Sequence, residues 1–226
     1  MRTLWLIWKN PTTRRRFRVG TLSFDDEKRK YRFEYTNPEL DDARTGGFVS
    51  FPGFNDLKKI YESDKLFVNI VSRFPNPERP DYLEILNSYN LSSDSKDIDI
   101  LYATKGRLMT DTFEFVPEFD RRKIEFDLAG IRHLGNFEKI KDRIQENDKV
   151  ALKIDSENEF DKYAIKVCYF MEDGEEIELG YVPRYYSRQL TDLIQTKKYS
   201  AMVQKVRFDR KILDEFISVS VKLVFE

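Results

Sequence analysis

The chain has 226 residues, 40% of them hydrophobic and 35% charged, with 39 Lys+Arg against 40 Asp+Glu. That apolar share supports a packed core and argues against wholesale disorder, while the balanced charge argues against a histone-like protein and leaves local patches open. One cysteine, Cys168, and one histidine, His133, exclude an intramolecular disulfide and a Cys/His zinc cluster.

No stretch approaches the roughly 20 apolar residues that span a bilayer, and the apolar start Leu4–Trp8 is too short for a signal-peptide core. The expectation is a reduced, cytoplasmic protein with no cofactor and no bound metal.

Leu4–Trp8, Arg16–Leu22 and Tyr31–Tyr35 read as strands, the last two by alternation of polar and apolar residues, and short polar turns join them into an antiparallel meander. Residues 37–57 read as loop, with Pro38, Gly46, Gly47, Pro52 and Gly53, and Leu57–Tyr61 as a short helical or mixed stretch. After the proline loop Phe74–Pro80, Asp81–Tyr89 reads as a helix with Tyr82, Leu83, Leu86 and Tyr89 on one face. Ile98–Leu101 reads as a second short helix and Asp111–Val116 as a strand, and Pro117–Lys123 as a linker.

Beyond the linker, Phe137–Ile144 is a helix candidate. Lys149–Ile154, Ala164–Phe170 and Ile177–Val182 are strands, the last two joined at Asp173-Gly174. Tyr186–Thr196 is a helix with Leu190, Leu193 and Ile194 inward, and Ala201–Phe208 and Ile217–Phe225 are strands. At least five short strands with two short helices fit a small curled sheet or barrel. The fold class is therefore α+β, mainly β, with a first domain at 1–119, a meander with short helices, and a second at 120–226.

Charge is uneven along the chain. Residues 1–24 hold Arg2, Lys9, Arg14, Arg15, Arg16 and Arg18 with no acid. Residues 181–211 hold Arg184, Arg188, Lys197, Lys198, Lys205, Arg207, Arg210 and Lys211 against Asp192 and Asp209. Cations interleaved with Tyr181, Tyr185 and Tyr186 suit a single-strand surface, where cations hold phosphates and rings stack bases. Ordinary solvated faces are the competing explanation.

Three segments stand in order: Gly130-Ile-Arg-His133, then Asn158-Glu-Phe-Asp-Lys-Tyr-Ala-Ile-Lys-Val167, then Leu179-Gly-Tyr-Val-Pro-Arg184. This set resembles the HIRAN domain over roughly residues 124 to 210. The resemblance implies a small β-barrel related to nucleic-acid-binding barrels, in a family whose members include one that captures the 3′ end of single-stranded DNA.

Carried onto this chain, it implies that Arg132 contacts phosphate, that His133 and Phe160 flank a base, and that Asp161 accepts a hydrogen bond from a terminal 3′-hydroxyl. Asn158 would shape the loop, and Tyr181 and Arg184 would line the rim, with Arg188 beside them. A carboxylate is repelled by phosphate but matches a hydroxyl, so a chain end would be preferred over an internal nucleotide. Two departures stand out. His133-Leu134 replace two aromatics, and Glu159 replaces a proline and adds to the acids Asp155, Glu157 and Asp161. Asn158 and Asp161 are also ordinary turn formers.

The first half more weakly resembles the N-terminal subdomain of HipA-type toxin kinases, through Trp5–Thr21, Arg73–Leu86 and Leu101–Gly106. No glycine-rich phosphate loop or catalytic Asp loop follows. A His-dependent nucleophile would rest wholly on His133, and Cys168 sits mid-strand.

The reading is therefore a non-enzyme that binds single-stranded DNA or DNA 3′ ends, in repair or defence against foreign DNA. A protein partner, such as a kinase, helicase or nuclease, accompanies it. The alternative is an antitoxin-like regulator of a HipA-type kinase.

Overall fold

The computed structural model describes residues 2–36, 39–131, 143–171, 173–207 and 218–226. The chain divides into two compact units, Met1–Glu118 and Phe119–Glu226. The fold is mainly β, with antiparallel sheets and short helices.

The first unit is built on a five-stranded sheet of order β4-β3-β2-β1-β5, with β1 at Arg2–Lys9, β2 at Arg16–Asp25, β3 at Lys30–Tyr35, β4 at Tyr61–Ser63 and β5 at Phe113–Pro117. The meander β1–β2–β3 follows the sequence order. β5 returns from far along the chain to pair with β1 at Leu6↔Phe115. One face carries Leu4, Leu6, Trp8, Val19, Leu22, Phe33 and Phe115 into a core completed by Phe48, Phe51, Phe54, Ile70 and Leu101 from the connecting segments. Phe33 stacks on Phe54 at 4.2 Å, so aromatic packing dominates this core.

Several expectations for this unit change. The segment read as loop contains helix α1, Leu40–Thr45, whose Leu40 and Ala43 are buried. Its two glycines end the helix, since Gly46 is the C-cap and Gly47 has φ +96. Leu57–Tyr61 is not helical, and Tyr61 starts β4. A one-turn helix, α2 at Val68–Val71, had no periodic signal in four residues. α3, Tyr82–Ser88, buries Leu86, but Leu83 lies exposed, so the apolar face is narrower than its spacing implied. α4 is Asp97–Thr104. Pro117 belongs to β5 instead of the linker; it pairs with Leu4.

Two arginines brace β5 through one carboxylate. The buried carboxylate of Glu114 takes Arg16 Nε at 3.2 Å and Arg107 Nη2 at 2.6 Å. Burial raises its pKa, but the charges of Arg107, Arg16 and Lys105 outweigh burial and hold it down at about 2. A depressed carboxylate stabilises the fold above its ordinary value and loses that contribution as pH falls through the folded value. The stability of this unit should therefore drop between pH about 4.5 and about 2. Glu114→Gln should flatten that acid limb in urea titrations run across the window. An acid limb as steep in the variant as in the wild type would assign the loss to other carboxylates.

The second unit has two three-stranded sheets. One has order β10-β11-β6, with β6 at Lys123–Asp127, β10 at Tyr199–Arg207 and β11 at Ser218–Phe225. The other has order β7-β8-β9, with β7 at Val150–Ile154, β8 at Ile165–Phe170 and β9 at Glu176–Tyr181.

The sheets meet edge to edge at two seams, each a single bridge: Lys149↔Met202 and Ala129↔Tyr181. At the second, Ala129 and Tyr181 exchange both backbone hydrogen bonds at 2.8 Å. The expected barrel is thus not closed by continuous ladders among the described residues. Gly180 explains one seam. It has φ +145, and a Cβ there would lie 2.7 Å from the Ala129 carbonyl oxygen, so only glycine lets the two backbones approach.

Helix α5, Arg184–Thr196, starts two residues earlier than its apolar pattern indicated. It buries Tyr185, Tyr186, Leu190 and Leu193. In β11, Val219, Val221, Leu223 and Phe225 are buried by strict alternation. Cys168 is buried in β8, and burial, followed by its neighbour Glu176, pushes its thiol up to about 12. The helix expected at Phe137–Ile144 falls outside the described residues up to residue 142.

Candidate nucleic-acid interface

The β7–β8 connection, residues 155–164, carries the Asn-x-Phe-Asp segment. Its neck is closed by Asp155 N–H donating to the Ala164 carbonyl at 2.8 Å. Inside it, the Asn158 side-chain oxygen accepts from the N–H groups of both Phe160 and Asp161, each at 3.0 Å. Asp161 Oδ1 accepts from Tyr163 N–H at 3.0 Å. Side chains of the Asx type thus replace missing ladder partners and give the loop one shape.

Helix α5 anchors this loop along one face. Arg184 donates to the Phe160 carbonyl, and Ser187 Oγ donates to Asp161 Oδ2 at 2.7 Å. Thr191 donates to the Tyr163 carbonyl at 3.2 Å. Arg188 lies over the Tyr163 ring at 5.7 Å. Positions 184, 187, 188 and 191 are the i, i+3, i+4, i+7 stripe of a helix. From β9, the Tyr181 hydroxyl donates to Asp155 Oδ2 at 3.0 Å. Burial raises the Asp155 pKa, but hydrogen bonds from Tyr181 and Asn158 and the charge of Lys166 lower it overall. Burial, then the bond to Asp155, raises Tyr181 to about 12.

Against this bound framework Phe160 stands out, with 84% of its surface exposed at the loop tip. Both of its backbone polar groups are held, so an apolar ring is presented to solvent on a fixed backbone. Arg184 and the exposed Arg188 lie on the helix beside it. Exposed aromatic surface next to cations is the chemistry of base stacking with phosphate contact.

The structure brings Asn158, Phe160, Asp161, Tyr181, Arg184 and Arg188 to one end of the unit. Arg132 and His133 lie outside the described residues. Two of the tyrosines expected among the cations are not surface rings. Tyr185 and Tyr186 are buried, because adjacent helical positions share the inward side with Leu190.

Asp161 already has a partner on each oxygen, yet each carboxylate oxygen offers more than one acceptor direction. Ser187, Thr191, Lys162 and Tyr163 were missed by sequence reasoning. The helical stripe 184–187–188–191 is the signal that points to the first two. Among the described residues, no group of three or more His, Cys, Asp or Glu is placed to hold a metal. No described helix is long and apolar enough to cross a membrane.

Residues 122–224 match the family model of the HIRAN domain. Among solved structures, the chain is similar to the HIRAN domain of human HLTF, at 18% identity over 46% of this chain and 75% of that chain, with a TM-score of 0.34. It is also similar to a protein from Lactobacillus plantarum, at 19% identity over 46% of this chain and 92% of that one, with a TM-score of 0.32. No curated protein matches the chain. Gly180 and the Asn158-centred loop both lie within the stretch, slightly under half of the chain, that matches the HIRAN domain model.

Proposed function

We propose that this chain is a non-catalytic nucleic-acid-binding protein whose HIRAN domain holds single-stranded DNA at the β7–β8 loop and helix α5, with a 3′ end as the preferred feature. The observation that carries the reading is Phe160, an 84% exposed ring on a hydrogen-bonded loop beside Arg184 and Arg188. Phe160 stacks on the terminal base, and the two arginines take phosphates. The resemblance to the HIRAN family adds Arg132 as a phosphate contact and His133 as a base contact. Asp161 presents its remaining acceptor capacity to a terminal hydroxyl. The process served is repair or defence against foreign DNA, in the cytoplasm.

Salt dependence tests the electrostatic part. Each phosphate contact to a single strand contributes roughly 0.7 to the slope of log K against log salt. Arg184→Ala with Arg188→Ala should weaken binding to all sequences alike and flatten the slope by about one to two units. An unchanged slope would move the strand to another basic face, the Arg14–Arg18 cluster first.

The first unit favours a second activity, a protein partner. Val49 and Val68 are among its most exposed large apolar side chains. A HipA-type kinase body, or a helicase or nuclease, is the proposed partner class. Co-purification of such a partner with the full chain, lost on Val68→Asp with the fold intact, checks this reading.

A further inference from the structure

Lys162 and Arg188 come from different elements, loop and helix, yet converge on one ring. Lys162 Nζ lies 5.0 Å from the Tyr163 ring centroid and Arg188 Cζ 5.7 Å from it. Both cations are exposed, and among the described residues neither forms an ion pair with a carboxylate. Two like charges held on one ring, neither paired with a carboxylate, favour the entry of an anion.

The ring itself is fixed at both backbone groups. Tyr163 N–H donates to Asp161 Oδ1 at 3.0 Å, and its carbonyl accepts from Thr191 Oγ1 at 3.2 Å. Cation–π attraction then holds both flexible side chains against the same ring, which lowers the entropy lost on capturing a ligand. The nearby Asp161 carboxylate is tied to Tyr163 N–H and Ser187, while Glu157 and Glu159 on the same loop are exposed. Those acids oppose a diffuse anion and leave this pair of cations as the local site.

We propose that Lys162 and Arg188, positioned by the Tyr163 ring, form a cradle for a single phosphodiester of the bound strand, one linkage or more inward from the nucleotide at Phe160. This rests on the single-strand reading. It adds two residues, Lys162 as a direct contact and Tyr163 as a positioning residue. Because the cradle grips backbone, it should act on every sequence equally and leave the preference between end chemistries unchanged.

The experiment uses the full chain and oligonucleotides in which one linkage at a time is a neutral methylphosphonate. In the wild type, one position near the 3′ end should weaken binding about ten-fold, as expected for a lost charge-assisted contact. In Lys162→Gln with Arg188→Gln, affinity should already be about ten-fold lower or more, and the same neutral linkage should have no further effect. Tyr163→Phe should bind as the wild type does, and Tyr163→Leu should lose about three-fold or more, because only the ring holds the cations. A double variant that still responds to each neutral linkage as the wild type does overturns the cradle. So does a Tyr163→Leu protein with undiminished affinity. A wild-type protein that binds no single strand overturns the function proposal as well.

Discussion

Arg73→Leu should destabilise the first unit by about 3–5 kcal/mol, the range for breaking a buried ionic network by removing one partner. The Arg73 side chain is only 3% exposed. It forks onto Asp111 at 2.6 and 2.8 Å, gives Nε to the Gly106 carbonyl at 2.6 Å, and reaches the Phe113 carbonyl at 3.1 Å. Its guanidinium also lies 5.4 Å from the Phe51 ring centroid. These bonds tie the turn after α4 and the start of β5 to the end of α2. Leucine fills part of the volume but leaves two carbonyls and a carboxylate without their donor.

Arg73→Lys keeps the charge and loses the planar fork, so it should recover only part of the loss. In thermal melts the leucine variant should fall by roughly 10 °C or more. A shift of a degree or two would mean that water replaces the guanidinium and that the network contributes little.

The second large effect should appear in binding with no matching effect on stability. Phe160→Ala should weaken single-strand binding about ten-fold or more, since a base–aromatic stack is worth roughly 1–3 kcal/mol. The ring is 84% exposed, so its removal takes away almost no buried surface and the melting temperature should hold. Most core phenylalanines of this chain would behave in the opposite way. Phe33, fully buried against Phe54, should cost several kcal/mol on truncation. A Phe160→Ala protein with wild-type affinity would leave the exposed ring without a role in the strand's path.

Much of this was legible in residues alone, for definable reasons. β3 and β11 alternate because one face of each is buried, and β2 does so on either side of an irregularity at Val19-Gly20. The loop from Asn158 to Asp161 is readable because Asn and Asp side chains accept from backbone N–H groups two or three residues on. α1 was hidden by its flanking glycines, which mark a helix end as readily as a loop. α2 is a single turn and is shorter than any helical period can reveal. The cations beside Tyr185 and Tyr186 in sequence suggest surface rings, but the helical period turns both inward with Leu190. The Lys162–Tyr163–Arg188 contact joins residues 26 apart in the chain through tertiary packing, which local pattern does not encode.

In the proposed function, Asp161 takes the terminal hydroxyl of a bound nucleic-acid strand. Fluorescence titration of one single-stranded oligonucleotide carrying either a 3′-hydroxyl or a 3′-phosphate tests it, in the wild type and in Asp161→Asn. Asparagine retains an acceptor for Tyr163 N–H and a partner for Ser187, so the loop should stay folded while the charge is lost. The wild type should prefer the hydroxyl end by about ten-fold, the scale of one hydrogen bond to a charged group, and the variant should bind both ends alike. A wild type indifferent to the end, or a folded Asp161→Asn protein that still discriminates, would rule out this role for Asp161.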